Sequence, residues 1–238
     1  MKKEETYFEQ LERKRKSFAF KFAVFVIKIF FRRPKFVFTE REFPDEPIVL
    51  LANHVGKKVP AKIELYYPRP MMMWGTHEMT EGIKAVHKYL TVTYYHEKKH
   101  YPRWFAWSLG TLVCPFVYSF MKGLRVIPTY RDYRLVKTMK LSMQVRGEGK
   151  DIVIYPEDSS EGYKDELESF FAGFVSLLET FYRKGDDAPV FVTYYQRKTK
   201  TFIVSKQMRY SELKEKYGGF KEIATALKDE MNNLNKNN

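Results

Sequence analysis

Ile48-Val49-Leu50-Leu51-Ala52-Asn53-His54-Val55-Gly56-Lys57-Lys58-Val59-Pro60 is the stretch from which the fold is read. Five apolar residues form a strand that runs straight into Asn53-His54. A glycine-containing turn follows, and Pro60 suits the first position of a helix because its fixed φ is already helical. A histidine at a strand's end is held by the scaffold yet open to a substrate. α/β folds put their chemistry at such strand-to-helix turns.

The rest of the chain supports a globular α/β protein. Its 238 residues are 44% hydrophobic and 17% aromatic, enough to bury a sizeable core in one domain with a small appendage. Lys and Arg number 42 against 29 Asp and Glu, a net charge of +13 that calls for an anionic partner. Basic residues concentrate at the N-terminus beside a Phe-rich face, and no nucleic-acid motif is present. The reading is therefore a membrane surface and no nucleic acid. The single cysteine, Cys114, lies in an apolar run and reads as a buried packing residue in a reducing compartment.

Residues 1–35 read as a basic, amphipathic membrane-interface helix, and residues 36–238 as the α/β domain. Arg13-Lys14-Arg15-Lys16 precede SFAFKFAVFVIKIFFRRPK. No small-residue cleavage site follows, and Lys21 and Lys28 interrupt any span. Wound as a helix, Lys14, Ser17, Lys21, Lys28 and Arg32 share one narrow stripe, with apolar residues covering nearly all the rest. Such a helix suits the headgroup layer of an anionic bilayer. The alternative is a helix packed on the domain with its lysines snorkelling at the edge.

Downstream, Phe36–Phe43 alternates and then meets a Pro-Asp-Glu-Pro turn, so it reads as a hairpin partner of the His54 strand. Residues 61–67 read as a short helix, 71–74 as a strand, and 79–101 as mixed helix and aromatic-rich irregular chain. Trp104–Phe120 is strongly apolar and reads as a second membrane-facing or buried helix, with Gly110 and Pro115 expected to break it. A strand near Val126 follows, then a helix over 133–147, a buried strand over 151–155 and a helix over 173–183. Strands over 188–195 and 201–205 and a helix over 221–234 close the chain. Alternating strands and helices give a layered α/β fold with a mixed sheet flanked by helices. His77, His87, His96 and His100 have no metal-ligand spacing, so no metal site is assigned.

Four pieces in order then become specific: Asn53-His54, Gly123-Leu124-Arg125-Val126-Ile127-Pro128, Tyr155-Pro156-Glu157 with Phe171-Ala172-Gly173, and Ala188-Pro189-Val190. From about Phe36 to Tyr195 this resembles the PlsC-like glycerol-phosphate and lysophosphatidate acyltransferase superfamily. Its blocks are NH-x4-D, a G-x-(I/V)-(P/F)-(I/V)-x-R strand, FPEG-T-R-S and V-P-V. The resemblance implies a glycerol-phosphate acyltransferase-like fold and transfer of a fatty acyl group to a lipid or glycerol-phosphate-like hydroxyl. His54 would be the general base, and N–H groups of the next helix would steady the oxyanion. It further implies that Asn53, Arg125, Arg131, Glu157, Ser159 and Ser160 meet the substrates. Acyl-coenzyme A or acyl-carrier protein would be the co-substrate, without other cofactor. The implied place is the cytoplasmic face of a membrane, as a peripheral or monotopic protein of phospholipid biosynthesis.

The departures are equally specific. The aspartate five residues after the family's histidine is Val59 here, and Glu64 lies about 140° further round the helix. Asp158, at the family's glycine, is the acid expected to reach back to His54 from the facing loop. FPEG-T-R-S has become YPED-S-S-E, so the phosphate-reading arginine is Ser160 and Glu161 adds a negative charge. Thr129 stands where the strand motif's arginine falls. An acidic loop favours a neutral or amine-bearing acceptor over a phosphate. The alternative is a catalytically silent, lipid-binding relative, to which Val59 and Ser160 point. The oligomeric state is not read from the sequence.

Overall fold

The structure is a computed structural model that describes residues 7–54, 58–77, 81–130, 132–157 and 164–236. The chain divides into two compact units. The larger comprises Arg33–Trp74 and Arg134–Asn238, the smaller Met1–Arg32 and Gly75–Tyr133. The described strands form an eight-stranded mixed sheet with helices around it.

In the larger unit, strands β1 (Lys35–Phe38), β2 (Val49–Ala52), β3 (Met71–Thr76), β5 (Asp151–Ile154), β6 (Pro189–Gln196), β7 (Thr201–Val204) and β8 (Met208–Arg209) take the order β1-β7-β6-β2-β5-β3, with β8 on β6. β3, β5, β2 and β6 are parallel; β7 and β8 run antiparallel to β6. Every residue from Ile48 to Ala52 is fully enclosed, as a central parallel strand covered on both faces should be. Burying each large aliphatic side chain there contributes about 1.5–3 kcal/mol.

Helices α3 (Lys58–Tyr66), α6 (Leu135–Gly147), α7 (Gly173–Arg183), α8 (Tyr210–Tyr217) and α9 (Phe220–Lys236) complete this unit. Phe174, Val175, Leu177, Leu178 and Phe181 make one buried face of α7. Ile223, Ala224, Leu227 and Met231 do the same on α9, which packs on β6. At the strands' N-terminal edge, buried Asp151 fixes the register. Its carboxylate accepts the Ile48 N–H (2.9 Å) and the Tyr67 hydroxyl (2.7 Å) and pairs with Arg69 Nε (3.1 Å). β2 and β5 thereby start in step, so their C-terminal ends arrive together.

The smaller unit holds α1 (Tyr7–Arg15), α2 (Phe18–Phe30), α4 (Ile83–Lys88), wide π-helical turns over Tyr89–Glu97, α5 (Arg103–Met121) and β4 (Val126–Thr129). Ser17 caps α2, its hydroxyl accepting the Phe20 N–H. Phe20 stacks on Phe120 of α5 with ring centroids 5.9 Å apart. Gly123 follows α5 where a Cβ would lie 2.3 Å from the Phe20 ring, so only glycine admits that approach.

Two sequence expectations are corrected. Phe36–Phe43 is no hairpin partner of the His54 strand, because β1 pairs in parallel with β7, Phe36 opposite Phe202. The alternating pattern signalled a strand but not its partner, and the stacked Phe36 and Phe202 rings, 4.9 Å apart, favour the distant one. Gly110 and Pro115 do not break α5, which runs unbroken for 19 residues. A Cβ on Gly110 would lie 2.5 Å from Thr91 Cγ2, so the glycine serves close packing rather than a turn.

Candidate active site

β2 leads through α3 to β3, on one side in the sheet order. β5, its neighbour, leads through α7 to β6, on the other side. Adjacent parallel strands whose connections depart in opposite directions define a topological switch point, where α/β sheets bind ligands beyond the strands' C-terminal ends. Asn53-His54 follow β2 at that point, and Tyr155-Pro156-Glu157 follow β5.

Asn53 extends the ladder past the end of β2. Its N–H points to Thr193 O (3.4 Å) and its Oδ1 accepts the Tyr195 N–H (2.8 Å), with 1% of the residue exposed. The side chain thus replaces a strand residue and delivers His54 to the sheet's edge. His54 is half-buried, its Nδ1 enclosed. Its ring meets Tyr155 edge-on, with centroids 5.2 Å apart and planes at 89°. Its backbone N–H donates to Glu157 Oε2 at 2.8 Å.

Glu157 forms an isolated bridge with Phe170, and the Phe171 N–H donates to Pro156 O at 2.8 Å. Burial pushes its carboxyl up to about 7, with the His54 N–H pulling the other way. Near neutrality it is therefore divided between acid and carboxylate. Tyr194 donates its hydroxyl to Asp165 O (2.7 Å) and is pushed up to about 12, by burial first, then by Asp165, with a smaller contribution from Glu157. Burial, then the charge of Glu64, holds the Tyr155 hydroxyl well above its ordinary range. That hydroxyl is 4.0 Å from Met73 Sδ.

Helix α3 begins at Lys58, so Pro60 sits in its first turn. Val59 is fully buried, and Lys62 and Glu64 are 5% and 7% exposed. Lys62 Nζ lies 5.5 Å from the Tyr195 ring centre, and its pKa is lowered, chiefly by burial.

Of the residues singled out from sequence, Asn53, His54 and Glu157 come together. Arg125 belongs to the smaller unit, half-buried just before β4. Asp158, Ser159, Ser160 and Arg131 lie outside the described residues. No group of three or more His, Cys, Asp or Glu that could hold a metal occurs among the described residues. A groove of about 480 Å³ is lined by Lys164, Glu166, Asp229, Asn232 and Lys236, away from His54. The strand-end geometry, not that groove, locates the candidate chemistry.

Tyr155 and Glu64 are the site residues that sequence reading missed. Helix geometry alone gives only the angle of position 64 from residue 59. The available signal was a Lys and a Glu both interrupting the apolar run of α3. Chemically, the ensemble offers an imidazole, a near-neutral carboxyl and buried tyrosine hydroxyls at the end of a rigid sheet. No known family profile matches the chain, and no curated protein matches it.

Proposed function

We propose that this protein is an acyltransferase of PlsC-like type, moving a fatty acyl group from an acyl thioester to the hydroxyl of a lipid or glycerol-phosphate-like acceptor. His54 takes the hydroxyl proton as the acceptor oxygen bonds to the thioester carbonyl carbon. Collapse of the tetrahedral intermediate breaks the carbon–sulfur bond. The departing thiolate takes the proton from the imidazolium, leaving an ester and a free thiol. The observation that carries this reading is the meeting of His54 and Glu157 at the switch point of the sheet. The resemblance makes His54 the base and sets Glu157 near the acceptor from motif order alone.

The work would be done at the cytoplasmic face of a membrane, with α2 in the headgroup layer. Phe18, Phe22, Phe25 and Ile29 are exposed on one side of α2, next to exposed Lys21 and Lys28, while Phe20 and Ala23 pack inward. That distribution suits a helix half in protein and half in an anionic leaflet.

A second reading, a catalytically silent lipid-binding relative, is favoured by one observation: fully buried Val59 stands where the family's aspartate would be. Incubation of the purified chain with acyl-coenzyme A and acyl-carrier-protein thioesters over a panel of lipid acceptors separates the two. Acyl transfer that depends on His54 supports the enzyme; lipid binding with no transfer supports the silent relative.

A further inference from the structure

Helix α5 belongs to the smaller unit, which holds 17 Lys and Arg against 8 Asp and Glu and so carries +9 of the chain's +13. The helix has two unlike sides. Ala106, Gly110, Cys114 and Phe120 face inward, against Val86, Leu90 and Thr91 of α4 and the π-helical turns and against Phe20 of α2. The other side is large, apolar and bare: Trp104 is 71% exposed, Trp107 60% and Leu112 78%, with Phe105 and Phe116 also exposed. Single exposed apolar residues are ordinary, whereas five large ones on one side of a helix between Trp104 and Phe116 mark an interaction surface.

The polar atoms and charges on this side indicate its occupant. Ser108 and Ser119 donate their hydroxyls to the carbonyls of Trp104 and Pro115 (2.9 and 2.8 Å), and Thr111 Oγ1 meets the His87 ring at 2.8 Å. These hydroxyls have partners without water, as an apolar surrounding requires. Between Lys98 and Tyr130 there is no acidic residue, and Arg103 and Lys122 stand at the two ends of the helix. Two of the three tryptophans sit near its N-terminal end, and indoles favour the membrane–water boundary. The α4 and π-helical segment behind α5 exposes Lys84, Lys88, Glu97 and Lys98, so that flank is wet.

We infer that the bare side of α5 is a second lipid-immersed surface, with Trp104, Phe105, Trp107, Leu112 and Phe116 among the acyl chains of an anionic phospholipid leaflet and Arg103 and Lys122 at its headgroups. With protein on one side and lipid on the other, α5 lies along the membrane rather than across it. This rests on the membrane-surface part of the reading above and is independent of its chemistry.

The tryptophans make the test direct, because Trp74 is 9% exposed and donates to Ser142 at 2.9 Å, out of reach of lipid. The full chain is mixed with phosphatidylcholine vesicles containing about 30% phosphatidylglycerol and chain-brominated phosphatidylcholine. The expected result is a blue shift of tryptophan emission with strong bromine quenching. Both vanish in the Trp104→Phe, Trp107→Phe double variant, which still sediments with the vesicles. Leu112→Glu with Phe116→Glu weakens partitioning at least about tenfold, with the far-ultraviolet circular dichroism unchanged. Vesicle binding without quenching overturns the inference while leaving α2 as an anchor. No binding to these vesicles overturns both the inference and the membrane placement, and acyl transfer to a short-chain soluble acceptor then still tests the chemistry alone. A blue shift that grows with protein concentration in the absence of lipid, with a dimer in sedimentation velocity, assigns the surface to a second copy and also overturns it.

Discussion

Glu157 Oε2 accepts the backbone N–H of His54 at 2.8 Å, tying the end of β5 to the end of β2 through a carboxyl that burial pushes up to about 7. The folded state therefore binds this proton more tightly than the unfolded chain, whose carboxyl titrates near 4.5. The contribution to stability is full below the ordinary value and is lost as pH rises through the folded value near 7. Urea denaturation at pH 4 and pH 8 should show the wild type losing on the order of 2–3 kcal/mol relative to Glu157→Gln. Gln keeps an acceptor for the His54 N–H but has no proton to lose. Parallel pH dependence in the two proteins would contradict this assignment.

Asn53 contributes through its side-chain oxygen. Asn53→Ala leaves the Tyr195 N–H buried without that acceptor, so the expected loss is about 1–3 kcal/mol by thermal or urea denaturation. Acyl transfer should fall as well, since His54 is the next residue. A variant as stable as the wild type would mean that the strand end is held in another way.

Val59→Asp puts a carboxyl where the structure encloses an apolar side chain. A carboxylate buried there should destabilise the fold by about 2–4 kcal/mol at pH 8 and by less at pH 4, where it is protonated. If the substitution cost nothing at pH 8, a cation would have to be facing position 59.

At the opposite edge of the sheet, Asp151→Asn weakens the pairing with Arg69 while keeping the size of the side chain. Burial raises the Asp151 carboxyl, and the Ile48 N–H, the Tyr67 hydroxyl and then Arg69 work against that rise. Leaving Arg69 without its carboxylate should cost about 3 kcal/mol or more in urea denaturation. Vesicle binding should be unchanged, because the cluster belongs to the larger unit and α2 and α5 to the smaller.

The strands were legible where burial on both faces writes itself as an unbroken apolar run: Ile48–Ala52, Ile152–Ile154 and Val190–Val192. From them follow the α/β class and the position of His54. β1 was legible as a strand but not in its pairing, because Phe36 finds Phe202 far along the chain and local alternation carries no information about distant partners. Gly110 was read as a stop by a rule of local conformation, whereas its surroundings are set by Thr91 across a helix contact. The sequence marked Glu64 only as an interruption of an apolar run and gave Tyr155 no role in the site, for a similar reason. The charge of one bears on the hydroxyl of the other only after α3 and the end of β5 have been brought together by folding.

The measurement that tests the central claim most directly is acyl transfer by purified wild type and His54→Ala, with labelled acyl thioesters and a lipid acceptor panel. The account predicts a labelled ester with release of one thiol per ester formed, and a fall of about 10²–10⁴ in rate on removing the imidazole. Transfer at the same rate in both proteins would contradict His54 as the base, and no transfer from any thioester to any acceptor would contradict the enzyme.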